Sequence, residues 1–172
     1  PVVEPSDLKG VVIRTPSNSL RVKTFEAFGA TPISISFSEL YQSLSQHICD
    51  AQENPLATIV SSQFYDYQSC LCISNHVYTP GWICMNLDLY NSLSDAQRAV
   101  IDEAGALTSA HVLEAGAKAD EENLQVCKDK GMQVTYADVE EFRNVVLPLW
   151  DKFADSVGGI DFVNAAKAAL GY

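Results

Sequence analysis

Phe37-Ser-Glu-Leu-Tyr-Gln-Ser-Leu-Ser-Gln-His-Ile-Cys-Asp-Ala-Gln-Glu-Asn-Pro55 carries a helix, a short strand and the start of a second helix within nineteen residues. Ser36 followed by Glu39 reads as a capping box, so a helix is expected to begin at Phe37. Leu40, Tyr41, Leu44 and Ile48 recur at helical spacing and give that helix an apolar face. Residues 50–54 then read as a brief strand, with Asn54 as N-cap and Pro55 as the first residue of the next helix. Polar side chains at such strand-to-helix junctions are well placed to line a ligand crevice.

The stretches on either side repeat the pattern. Residues 11–13 (Val-Val-Ile) form a short apolar run of the kind a buried parallel strand needs, ending at Arg14-Thr-Pro16. Ser17-Asn-Ser19 offers N-caps for a helix reaching Phe28, and Gly29 suits the position after its end. Residues 31–36 alternate Ile33 and Ile35 with polar neighbours, which predicts a strand. The βαβαβα order down to residue 67 predicts a mainly parallel sheet flanked by crossover helices, an α/β fold. Further strands are expected at 70–74, 82–85 and 132–136, with residues 75–81 as a loop.

Asn86 opens a short helix, and Ser94 with Gln97 forms a second capping box. Helical spacing then persists from Asp95 to about Lys130, on the order of 50 Å at 1.5 Å per residue. Such a helix must bridge two lobes, bend at Gly105 or Gly116, or pack against a partner. Asp138 with Glu141 caps another helix, which Pro148 should kink, and residues 160–170 form the last.

Composition narrows the function. Over 172 residues, 47% are hydrophobic and 19% charged, ordinary values for a folded domain. A net charge of −11 excludes a nucleic-acid or anionic-membrane binder, either of which needs basic clusters. No run is long and apolar enough to read as a membrane span. Residues 1–7 lack the basic start and apolar core of a secretory leader, so any leader is expected to have been removed or to lie outside this chain. Cys49, Cys70, Cys72, Cys84 and Cys127 show no CxxC pair and read as buried small hydrophobes, with a disulfide the lesser alternative. His47, His76 and His111 lack metal-ligand spacing, and no cofactor motif is present.

In so acidic a chain each of the four arginines stands out, Arg14 most of all. It lies at the carboxyl end of a predicted parallel strand, where open α/β sheets bind ligands. Its planar fork would hold a carboxylate or phosphate in two parallel hydrogen bonds. A salt bridge to a surface acid explains it equally well. Asn54 is explained by capping alone, and Phe37 by the core. Glu39, Asp50 and Glu53 could supply a carboxylate pair for an enzyme. Capping and solvated roles account for them more simply, and nothing places a nucleophile beside a base.

In chain order, Asp7-Leu-Lys-Gly10, Ile13-Arg-Thr-Pro16, Phe28-Gly-Ala30, Phe37-Ser-Glu-Leu-Tyr41 and Asp50-Ala-Gln-Glu-Asn-Pro55 resemble the DctP-type solute-binding proteins of TRAP transporters. Phe64-Tyr65, Asn75-His76 and Leu93-Ser-x-x-Gln97 also fit. The resemblance implies a periplasmic-binding-protein-like lobe, no enzymatic activity and no cofactor. It also implies a periplasmic location, a small organic acid as ligand, and TRAP permease subunits as partners. Carried over residue by residue, Arg14 matches the arginine that pairs with the ligand carboxylate, Asn54 a ligand-contacting asparagine, and Phe37 an aromatic pocket wall. Asn18 matches a position that often lines the site, and His76 and Tyr78 lie where the chain crosses toward the other lobe.

Two departures follow. Asp50-Ala-Gln52 stands where the family usually has Asp-Gly-Gln. The chain also begins where the family's second lobe begins. Residues 1–79 and 120–172 are therefore expected to form that second lobe, and residues 80–119 a crossover segment of the first. The helix over 95–130 then corresponds to the family's lobe-spanning helix, and its uncovered apolar surface is a candidate homodimer contact. The alternative is a structural or oligomerising domain without tight ligand binding.

Overall fold

A computed structural model describes residues 1–78 and 81–172. Two compact units emerge, one of Pro1–Ser74 with Cys127–Tyr172, the other of Asn75–Val126.

In the first unit, β1 (Val12–Thr15), β2 (Thr31–Ser34) and β3 (Ala51–Gln52) form a parallel sheet in the order β2-β1-β3. Arg14 in the central strand pairs with Ile33 on one side and Gln52 on the other. β4 (Cys70–Ile73) and β5 (Gln133–Tyr136) pair in parallel as a separate two-stranded sheet. All three strand pairings are parallel, in line with the βα alternation of the sequence. Strand β1 is buried from Ile13 to Thr15, so both of its faces are covered.

Helix α1 (Ser19–Ala27) starts on Asn18, whose side chain accepts the Arg21 N–H at 3.0 Å. It ends at Gly29, where φ is +89°. There Ala30 N–H donates to the Phe25 carbonyl and Gly29 N–H to the Glu26 carbonyl, the paired bonds of a Schellman motif. Any side chain at residue 29 would force the left-handed backbone at a steric cost. The core on this side joins Leu8, Ile13, Phe25, Phe28 and Ala30, with Phe142 and Val145 of α6 (Val139–Lys152) packed against it. Phe28 meets Phe142 edge-to-face at 4.8 Å between ring centres. Asp138 caps α6 by accepting from the Glu140 and Glu141 N–H groups. Pro148, expected to kink this helix, sits within α6, and the helix continues past it.

Helix α2 (Phe37–Ser45) begins where the sequence predicts, but its cap is different. The Ser36 hydroxyl donates to the Glu39 carboxylate at 2.5 Å rather than accepting a backbone N–H. Its inward face is Leu40, Ser43 and Leu44. Tyr41 is about one-third exposed and rests edge-to-face on Tyr67 rather than in the core, and Ile48 lies beyond the helix end and is exposed, so neither belongs to the buried face. Helix α3 (Leu56–Ser61) starts one residue later than the sequence suggests: Pro55 is its N-cap, and the Pro55 carbonyl accepts from Thr58 and Ile59. The short helix α7 is Ile160–Leu170.

The second unit holds α4 (Leu87–Ser92), capped by Asn86, and most of α5 (Asp95–Asp129). Ser94 and Gln97 close the predicted capping box: Ser94 N–H donates to Gln97 Oε1 at 2.9 Å, and Gln97 N–H to Ser94 Oγ at 3.4 Å. Residues 82–85 are not a strand: among the described residues none pairs with them, and they run as exposed chain, Trp82 and Ile83 outermost. All five cysteines are free; Cys49 and Cys127 are buried as expected, Cys70 and Cys72 half-buried, and Cys84 is exposed on that unpaired stretch.

Among the described residues, Thr15 Oγ1 is the buried side-chain polar atom without a hydrogen-bond partner. An unpaired buried hydroxyl carries its desolvation cost with nothing to offset it, and replacement by an apolar group of the same shape removes that cost. Thr15→Val should therefore raise stability by about 1 kcal/mol in urea unfolding. A loss of stability would reveal a partner for the hydroxyl.

Candidate functional site

Parallel strands bring their carboxyl ends to one edge, and three strand-to-helix junctions meet there. They are β1–α1 with Arg14 and Asn18, β2–α2 with Ile35 and Phe37, and β3–α3 with Glu53 and Asn54. The nine-residue helices α1 and α2 both begin at this edge, adding the partial positive charge of their N-termini.

Arg14 is buried, with 4% of its surface exposed. Alternation along β1 turns it to the face opposite Ile13, away from the α1–α6 core. Its Nε donates to the Ile35 carbonyl at 2.8 Å, which fixes the plane of the guanidinium. Burial pulls its pKa down, Glu53 and Cys49 act the other way, and Arg21 adds to the lowering. An arginine stays cationic at neutral pH regardless. A surface salt bridge does not describe this residue: it is an interior cation held by a backbone carbonyl.

Glu53 is the site residue that sequence reasoning misplaced. It is neither a cap nor solvated: its side chain is 8% exposed and forms an ion pair with Arg21 Nη1 from the first turn of α1. The signal was faint, since Arg21 lies seven residues after Arg14 and Glu53 lies next to the cross-strand partner of Arg14, Gln52. The other two acids also have separate structural roles. Asp50 Oδ2 accepts the Val12 N–H at 2.9 Å, extending the β1–β3 pairing, and Glu39 takes the Ser36 hydroxyl.

Asn54 does not cap α3 with its side chain. Its Nδ2 donates to Gln52 Oε1 at 2.6 Å, and Gln52 Nε2 donates in turn to Gln68 Oε1 at 3.1 Å. That chain commits one N–H of the Asn54 amide and leaves Oδ1 as an acceptor. Phe37 is 51% exposed and rests edge-to-face on buried Phe64, with ring centres 6.2 Å apart. Asn18 is exposed, its Oδ1 engaged by the helix cap. Arg14, Asn18, Phe37 and Asn54 thus share one sheet edge. His76 and Tyr78 fall in the other unit and are exposed there, and Thr79 and Pro80 of the expected loop lie outside the described residues.

A separate open depression of about 410 Å³ is lined by His47, residues 65–69, Lys130 and Gly131. None of the four sheet-edge residues lines it. Among the described residues no three His, Cys, Asp or Glu side chains gather into a metal site, and no helix is long and apolar enough to cross a membrane.

Comparison with known proteins agrees with this architecture. Residues 1–156 match the family described as bacterial extracellular solute-binding protein, family 7 (DctP). The sialic acid-binding periplasmic protein SiaP of Vibrio cholerae is 30% identical over 152 residues, covering 88% of this chain and 47% of that protein. A TRAP periplasmic solute-binding protein from Ochrobactrum anthropi, whose C-terminus is bound in its ligand-binding pocket, superposes with a TM-score of 0.87. It is 31% identical and covers 99% of this chain and 55% of its own. Another from Shewanella oneidensis, with bound succinate, gives a TM-score of 0.81 at 32% identity, covering 98% and 56%. The chain spans about half the length of the curated relatives it matches. These relatives are solute-binding receptors, not enzymes, and the two solved structures share the fold over nearly the whole of this chain. By sequence and by fold alike, the chain belongs to the bacterial extracellular solute-binding proteins of family 7, the DctP family.

Proposed function

We propose that this chain forms the carboxylate-holding part of a periplasmic TRAP solute receptor for a small organic acid. The observation that carries the reading is Arg14: a buried cation at the carboxyl ends of a parallel sheet, its Nε anchored to Ile35. Its outer nitrogens form a fork matched to a carboxylate. Sialic acid and succinate, named with two of the relatives, are both carboxylic acids, which supports the ligand class. Asn54 Oδ1 accepts a ligand hydroxyl, Phe37 walls the pocket, and Asn18 lines it further. Residues 1–79 and 120–172 serve as the second lobe and 80–119 as a crossover segment of the first. Lobe closure on the ligand raises the population of the state that the membrane permease subunits recognise.

Thermal-shift and calorimetric screening of organic acids against their neutral amides tests the reading. Several acids should stabilise the protein and their amides should not. Equal shifts for acid and amide would remove the carboxylate from recognition.

Helix α5 also exposes Val100, Ile101, Leu107, Val112 and Leu113, which supports self-association through that helix. Light scattering should then give a mass that rises with concentration toward a dimer.

A further inference from the structure

Asn54 reaches the sheet edge without help from its helix. Pro55 is the N-cap of α3, and no cap bond uses the Asn54 side chain. An asparagine amide turns freely about its last torsion, so the 2.6 Å bond to Gln52 decides which groups it presents. Gln52 stands in register with Arg14, and register partners on neighbouring strands share one face of the sheet. Gln52 is a flexible side chain in its turn, and the bond from its Nε2 to Gln68 Oε1 holds the other end of its amide. We propose that Gln68 is a positioning residue for ligand binding: it does not touch the ligand, but holds Gln52, which holds Asn54 in the orientation that meets an organic acid. The inference rests on the reading of Asn54 as a ligand contact and deepens it by adding a residue from outside the sheet edge.

Three observations favour positioning over contact or bracing. Gln68 lines the separate depression beside Lys130, whose lining includes none of the four sheet-edge residues, so a direct ligand contact is not its role. The turn that carries Gln68 is secured by other means: its backbone N–H donates to the carbonyl of Phe64 at 3.1 Å, and the Phe64 ring is buried. The amides also donate in one direction, from Asn54 to Gln52 and from Gln52 to Gln68, an order in which each bond polarises the next. A side chain fixed in this way before the ligand arrives lowers the ordering cost of binding.

The test is a double-mutant cycle read in ligand affinity, with succinate and L-malate as probes. Calorimetry compares wild type, Gln68→Met, Asn54→Ala and the double variant. Gln68→Met keeps the length of the side chain and removes its acceptor, and should weaken binding about fivefold, roughly the worth of one hydrogen bond. In the Asn54→Ala background the same substitution should cost less than about twofold, because the amide it orients is gone. A residue that merely braced the fold would cost the same affinity in both backgrounds. Nuclear magnetic resonance of the ligand-free protein gives a second readout: the Asn54 side-chain amide signals, assigned by their absence from Asn54→Ala, should shift in Gln68→Met. Equal losses in the two backgrounds, no loss in Gln68→Met, or unmoved Asn54 signals overturn the positioning role even where Asn54→Ala weakens binding. Unchanged binding by Asn54→Ala removes Asn54 from the site, and failure of wild type to bind either acid overturns the carboxylate reading; the inference falls with either.

Discussion

Arg14→Ala is expected to cost about 3 kcal/mol of carboxylate affinity, roughly two orders of magnitude in Kd. The loss has two parts. A bidentate, charge-assisted contact disappears, and the ligand carboxylate enters a partly desolvated edge without its countercharge. Stability should move little by comparison, because burying the guanidinium opposes the gain from its bond to Ile35. Arg14→Lys separates charge from shape: the cation remains, but the planar fork and the Nε anchor are lost. About one order of magnitude should go with it. Calorimetry with succinate, beside urea unfolding of the same variants, reads both effects. Equal losses of binding and of stability in Arg14→Ala would identify the residue as a fold element rather than a ligand contact.

Phe64→Ala is expected to produce the largest change in stability, a loss of about 3–5 kcal/mol. Phe64 is among the largest fully buried side chains, at 1% exposure, and it lies in the 3-10 turn Phe64–Asp66 after α3. Truncation removes the transfer energy of the ring and leaves a cavity that close-packed neighbours fill only in part. The same ring stands behind Phe37, so the variant also loosens the aromatic at the mouth of the site. Urea unfolding followed by circular dichroism checks the first effect, and ligand titration below the transition checks the second. A stability loss under about 1 kcal/mol would mean that the turn collapses onto the vacated space.

The sequence-level signals that survived are those set by local chemistry. The apolar run at residues 11–13, the Asn18 cap, Gly29 and the Ser94–Gln97 box each fix a local conformation, and each appears where expected. Arg14 was legible for the same reason, as a charge at the end of a buried run. The misplacements share a different cause, since each depends on which side chains meet across the fold. Ser36 and Glu39 bond to each other instead of to the backbone, and Asn54 is drawn to Gln52, so neither performs the capping that its spacing suggests. Residues 82–85 have a strand-like composition but, among the described residues, no strand to pair with. Glu53 is the clearest case: its partner lies 32 residues away on α1, and only the parallel register of β1 and β3 brings the two together.

The most direct measurement is the structure of the protein with a bound organic acid. The ligand carboxylate should lie in the plane of the Arg14 guanidinium, its two oxygens about 2.7–2.9 Å from the terminal nitrogens. The Nε bond to Ile35 and the Arg21–Glu53 pair should both be retained. A ligand seated with its carboxylate elsewhere, in the depression beside Lys130 for instance, would contradict the account.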